Sequence, residues 1–110
     1  MMIDWRRVGQ LRDEIGPTGF AEVVDLFWEE VETILDGLSD QPAARLESDL
    51  HFLKGSAWNL GFVDFGAQCQ DGERKAAQGR AAEVDLGSII GQFGTMKQAF
   101  LAGLRDRSLQ

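Results

Sequence analysis

Apolar residues along this chain recur at steps of three and four, the spacing of one face of an α-helix. No stretch alternates apolar and polar residues over the length of a strand. The longest pattern follows Gly16-Pro17-Thr18, and acidic residues fall largely on its opposite face. Its apolar positions are Phe20, Val23, Val24, Phe27, Val31, Ile34, Leu35 and Leu38. This pattern predicts a long amphipathic helix that contributes one face to a core.

The rest of the chain predicts four further helices. A short one covers about 4–14, with Asp4 as its N-cap. A turn at 39–42 precedes the next, whose apolar stripe consists of Leu46, Leu50, Leu53, Ala57 and Leu60. A weaker helix follows at about 64–77, and a loop at 79–85 leads to the last helix, which begins at about Leu86. The apolar positions of this last helix are Ile89, Ile90, Phe93, Met96, Phe100, Leu101 and Leu104.

Amphipathic helices joined by short turns bury their stripes against one another. We therefore predict an all-α fold, an antiparallel four-helix bundle with a short extra N-terminal helix. A chain of 110 residues fits one domain, residues 1–110. In the last helix, Gly87, Gly91 and Gly94 predict a close approach to a neighbouring helix, since glycine leaves room for it.

Composition excludes several functions. The net charge of -7 argues against nucleic acid and anionic membrane surfaces as partners. A single cysteine, Cys69, permits no intrachain disulfide, and we expect it in the core. The phosphate-binding motifs G-x-x-x-x-G-K-S/T and G-x-G-x-x-G are absent, so we expect no ATP site and no enzyme. The N-terminus lacks the apolar segment of a signal peptide, which favours a cytoplasmic location.

His51 is the only histidine, and the helical spacing places it roughly 140° from the centre of the apolar stripe, near the solvent-exposed face. A neutral imidazole is a nucleophile near pH 7. Lys54, one turn away, could neutralise the charge of a phosphoryl group, and Gly55 would let a partner approach closely. Glu47 and Trp58 share this side of the helix. From the residues alone, an ordinary surface histidine beside a lysine is the favoured interpretation, since exposed histidines are common.

The segment from His51 to Phe62 contains H-x-x-K-G, five residues and Gly61, and it closely resembles the signature of histidine-containing phosphotransfer (Hpt) domains. The resemblance covers the whole chain. It implies that His51 accepts a phosphoryl group and that Lys54 is its companion cation. It also implies that Glu73, 22 residues after the histidine, holds the imidazole ring. The alternative for Glu73 is a solvated residue on a helix.

The resemblance further implies a phosphocarrier that passes phosphate between a histidine kinase or hybrid kinase and the aspartate of a response-regulator receiver domain. We expect no cofactor or metal of its own, Mg²⁺ on the partner receiver, and a monomer. Together with Glu47, Gly55 and Gly61, we expect Trp58 to contact the partner. Gly61 is also expected to end or bend the helix.

Two positions depart from the Hpt pattern: Trp58 stands where relatives have a small residue, and Gly72 where they have an apolar one. We expect Trp58 to lie at the rim of the docking surface as an interface anchor, the alternative being a core residue. Two other functions remain open. One is a binding module that inhibits a receiver or kinase without being phosphorylated, and the other is a structural bundle that pairs through the Trp58 face.

Overall fold

The computed structural model describes residues 3–40 and 42–107, and Met1, Met2, Gln41 and residues 108–110 lie outside them. The described residues form four α-helices, which confirms the predicted all-α bundle. The helices are α1 (Trp5–Gly37), α2 (Ala43–Asn59), α3 (Val63–Ala77) and α4 (Leu86–Asp106). Short 3-10 turns occupy Leu38–Asp40, which overlaps the turn predicted at 39–42, and Ala81–Glu83, within the predicted loop. None of the described helices is long and apolar enough to cross a membrane.

The predicted short N-terminal helix and long helix are the two arms of α1, which is kinked at Gly16. Asp4 caps the first arm, where its carboxylate accepts a hydrogen bond from the Arg7 amide at 3.1 Å. Gly16 then adopts φ 80° and ψ 162°, a conformation that glycine tolerates and that interrupts the helix. Pro17 follows as the first residue of the second arm, where its missing N–H costs no hydrogen bond.

The core contains apolar side chains from all four helices and an aromatic cluster in which rings from α1, α4 and the α2–α3 turn meet. The cluster consists of Phe27, Trp28, Phe62, Phe93 and Phe100. Val23 was predicted on the buried stripe of its helix and is instead exposed, as are Ile90 and Leu101 of α4. These three positions border the apolar stripes, where a helical spacing does not distinguish a buried side chain from a surface one.

The close approach predicted at Gly87, Gly91 and Gly94 is wrong, because a Cβ at any of these positions would meet no other helix. The close approach occurs in α3 instead. A Cβ at Gly72 would lie 2.9 Å from Leu50 Cδ1, closer than packed carbons approach. Gly72 therefore allows α3 to pack closely on α2, the most extensive helix pair in the bundle.

The turn between α2 and α3 is fixed by the N-terminal segment. Gly61 ends α2 with φ 89°, as predicted, and its carbonyl accepts a hydrogen bond from the Asp4 amide at 2.7 Å. Arg7 donates from Nε to the Asn59 carbonyl at 2.9 Å and from Nη2 to the Asn59 side chain at 3.0 Å. These contacts fix the N-terminal segment against the end of α2 and the turn that leads into α3.

Candidate functional site

His51 lies in the middle of α2. Its neighbours Leu50 and Leu53 point into the core, and both are buried. Its own side chain is 68% exposed. The helix thus presents the imidazole on the surface of a rigid element, as the spacing of the apolar stripe predicts.

The imidazole is bound by Glu73 of α3. His51 Nδ1 lies 2.7 Å from Glu73 Oε2, so the contact expected from the Hpt resemblance is present. A carboxylate accepts hydrogen bonds only, which places the proton of the neutral ring on Nδ1. The other nitrogen, Nε2, then carries an unprotonated lone pair on an exposed ring. This arrangement supplies a nucleophile of fixed orientation.

Lys54 contacts the other oxygen of the same carboxylate, with Nζ 2.7 Å from Glu73 Oε1. The side chains of Lys54 and Glu73 are only 17% and 19% exposed. Glu73 therefore joins the imidazole and the ammonium, one on each oxygen. His51 and Lys54 share a surface, as predicted, but the Lys54 ammonium forms an ion pair with Glu73.

The environment keeps Glu73 ionised. Burial of the carboxyl group raises its pKa, but the contacts and charges of Lys54 and His51 outweigh that effect. The net result is a pKa of Glu73 below its ordinary value. The carboxylate is consequently charged at neutral pH and can accept the hydrogen bond from Nδ1–H.

Trp58 combines features of both predicted alternatives. It is 41% exposed, yet one side of its indole ring packs over Gly66 of α3. The indole Nε1–H donates to the Val63 carbonyl at 3.3 Å. Lys54 Nζ lies 5.9 Å from the centroid of the same ring. The sequence analysis did not identify Gly66 as a contact of Trp58. The available signal was a glycine near the start of the helix that follows the one carrying Trp58.

The other predicted partner-contact residues divide into two groups. Glu47 is half-buried one turn before His51. Gly55 is exposed, and an added Cβ would meet nothing within 4 Å, so this surface is open. The structure does not bring Gly61 to this surface, because it is buried beneath Asp4 at the end of α2.

Sequence reasoning also missed an apolar strip beside the histidine. Phe52 and Leu26 are exposed, and together with Ile34 they line a shallow groove between α1 and α2. Glu29 and Glu30 border this groove. The available signal was an aromatic residue directly after His51, outside the apolar stripe of α2.

Cys69 is a core residue, as predicted. Burial, and then the negative charge of Glu73, raise the pKa of its thiol to about 12. The thiol is therefore protonated at neutral pH and is no competing nucleophile.

Comparison with known families agrees with the resemblance stated above. The family model described as the Hpt domain matches residues 22–106, which include all of α2, α3 and α4 and the C-terminal half of α1. Comparisons with curated proteins and with solved structures gave no significant match. Since the match covers most of the sequence, the chain belongs to the Hpt domain family, whose members are histidine phosphotransfer modules of phosphorelays.

Proposed function

We propose that this protein carries a phosphoryl group on His51. It receives the group from a receiver aspartate or a histidine kinase and delivers it to the aspartate of a response-regulator receiver domain. One observation carries the proposal: an exposed imidazole whose Nδ1 is bound to the Glu73 carboxylate at 2.7 Å, which leaves Nε2 free. The chain acts as a phosphocarrier and uses no ATP of its own.

The transfer needs one displacement at phosphorus. The Nε2 lone pair attacks the phosphorus of the partner's aspartyl phosphate, the N–P bond forms, and the O–P bond breaks to release the aspartate carboxylate. The ring keeps its Nδ1 proton and gains positive charge. Glu73 stabilises that charge through the hydrogen bond already present. Delivery to the next receiver is the reverse reaction.

Lys54 supplies the local positive charge. The ammonium lies one helical turn from His51 and pairs with Glu73 in the structure. We propose that it also partly neutralises the phosphoryl group while that group resides on His51. The Mg²⁺ that phosphoryl transfer requires would belong to the receiver.

The docking surface proposed for the receiver surrounds His51. It comprises the open position Gly55, the side chains of Glu47 and Trp58, and the apolar strip that includes Phe52. An apolar strip beside an exposed nucleophile suits a partner that must exclude water from the reacting phosphorus. We further propose that the protein acts as a monomer in the cytoplasm.

The test is acceptance of phosphate from receivers of the same cell. Receiver domains labelled on aspartate should transfer label to this protein, and the new bond should be acid-labile and base-stable. His51→Gln should take no label, while its free energy of unfolding should change by no more than about 0.5 kcal/mol because the side chain is exposed. Label that persists in His51→Gln would overturn the proposal. Tight binding to a receiver without any labelling would instead support an inhibitory binding module.

A further inference from the structure

Trp58 is the outer end of a line of contacts that leads to His51. The Lys54 ammonium lies 5.9 Å from the centroid of the Trp58 ring and 2.7 Å from Glu73 Oε1. The second oxygen of Glu73 lies 2.7 Å from the imidazole. Trp58 and Lys54 are one turn apart on α2, so both present their side chains on the same face. The contacts therefore connect the indole ring to the nucleophile through two charged side chains.

The indole ring is itself held in place by α3. It packs on Gly66, where any Cβ would overlap the ring, and its N–H binds the Val63 carbonyl at 3.3 Å. A tryptophan fixed in this way offers the face of its ring to a cation. Lysine has a long and flexible side chain, so a contact that restricts the ammonium keeps it against the carboxylate.

We propose that Trp58 is a positioning residue for phosphotransfer. Its ring holds Lys54 against Glu73, and the carboxylate, restrained on both oxygens, keeps the imidazole in the form with the proton on Nδ1 and a free Nε2. The inference rests on the proposed role of His51 as phosphoacceptor. It gives Trp58 an effect inside the protein, before any partner binds.

A purely docking role for Trp58 is the alternative. Its exposed side could contact the receiver and contribute to affinity only. The two roles predict different dependence on Lys54. A positioning effect needs the ammonium, whereas a docking contact does not.

The first experiment is performed on the free protein. Because His51 is the only histidine, ¹⁵N NMR of the ring nitrogens reports its tautomer without interference. Trp58→Leu should raise the population of the Nε2–H tautomer about two- to fivefold, the range expected for loss of a cation–π contact near the surface. Trp58→Phe, which keeps an aromatic face, should restore most of the native ratio.

Gly66→Ala disturbs the contact between Trp58 and Lys54 by a second route. The new methyl group on α3 would overlap the indole ring and displace it. It should shift the tautomer in the same direction as Trp58→Leu, and thermal melts of both variants identify the folded ones. An unchanged tautomer ratio in a folded variant of either kind would overturn the positioning role.

The second experiment is a double-mutant cycle on the transfer rate. Trp58→Leu should slow transfer by about two- to fivefold in the native background and have no further effect in Lys54→Ala. An equal loss in both backgrounds would show that Trp58 acts as a docking contact and would overturn the inference. The tautomer measurement involves no phosphate, so failure of His51 to be labelled and failure of Trp58 to position the ring are separate results.

Discussion

Replacing Glu73 with glutamine tests how much the carboxylate contributes to transfer. The substitution preserves the size of the side chain and an oxygen acceptor for His51 Nδ1–H, but it removes the negative charge. The hydrogen bond to Oε2, at 2.7 Å, then becomes one between neutral groups. The charge matters because the ring becomes positive while Nε2 attacks phosphorus, so the bond strengthens in the transition state.

The size of the effect follows from the two kinds of hydrogen bond. A bond to a charged acceptor contributes about 1.5–3 kcal/mol and a neutral one about 0.5–1.5 kcal/mol. The 68% exposure of His51 places both at the lower ends of their ranges. The difference of about 1 kcal/mol corresponds to a rate about fivefold slower.

The assay is the single-turnover rate of transfer from a phosphorylated receiver, measured at saturating protein. Glu32→Gln is the matched control. Glu32 Oε1 of α1 lies 2.6 Å from Lys97 Nζ of α4, in an ion pair that does not involve His51. This control removes an interhelical ion pair of the same type and should transfer at the native rate. A Glu73→Gln rate within twofold of the native rate would refute the role of the carboxylate.

Four further predictions concern stability and reactivity. The pKa of Glu73 is lowered in the folded state, so its charge stabilises the fold above the ordinary glutamate pKa of about 4.3 and this contribution is lost as the pH falls below it. In urea unfolding, the free energy of unfolding of the native protein should therefore exceed that of Glu73→Gln by more at pH 7 than at pH 3. Gly61→Ala should lower the free energy of unfolding by at least about 1 kcal/mol, a fall in Tm of about 4–8 °C, because Gly61 has φ 89° and a Cβ would lie 2.8 Å from the Asp4 carbonyl oxygen. Gly55→Ala, at an open helical position, should instead be neutral or stabilising by up to about 1 kcal/mol. Cys69 should resist thiol reagents in the folded protein at pH 8 and react on unfolding, since burial raises its pKa to about 12.

The sequence located the helices because each has a periodic apolar face and a clear end signal. Gly16-Pro17 marks the kink of α1 and Gly61 marks the end of α2. Positions at the borders of the stripes were misassigned: Val23 and Ile90 are exposed because burial at a border depends on where the neighbouring helix lies. That position is a property of the tertiary structure and is absent from the spacing within one helix.

In the candidate site, too, contacts within one helix could be predicted from the sequence and contacts between helices could not. His51 and Lys54 belong to one helix, so their proximity follows from the sequence alone. Contact with Glu73 was expected only from the Hpt resemblance, since it joins two helices. The packing of Trp58 on Gly66 was not anticipated, because it depends on the register between α2 and α3.

The central claim is that phosphate resides on Nε2 of His51, and NMR of the phosphorylated protein tests it most directly. After labelling by a receiver, ³¹P and ¹⁵N spectra should show one phosphorus bonded to Nε2, with the proton retained on Nδ1 beside Glu73. Phosphorus bonded to Nδ1, or attached to any residue other than His51, would contradict the account.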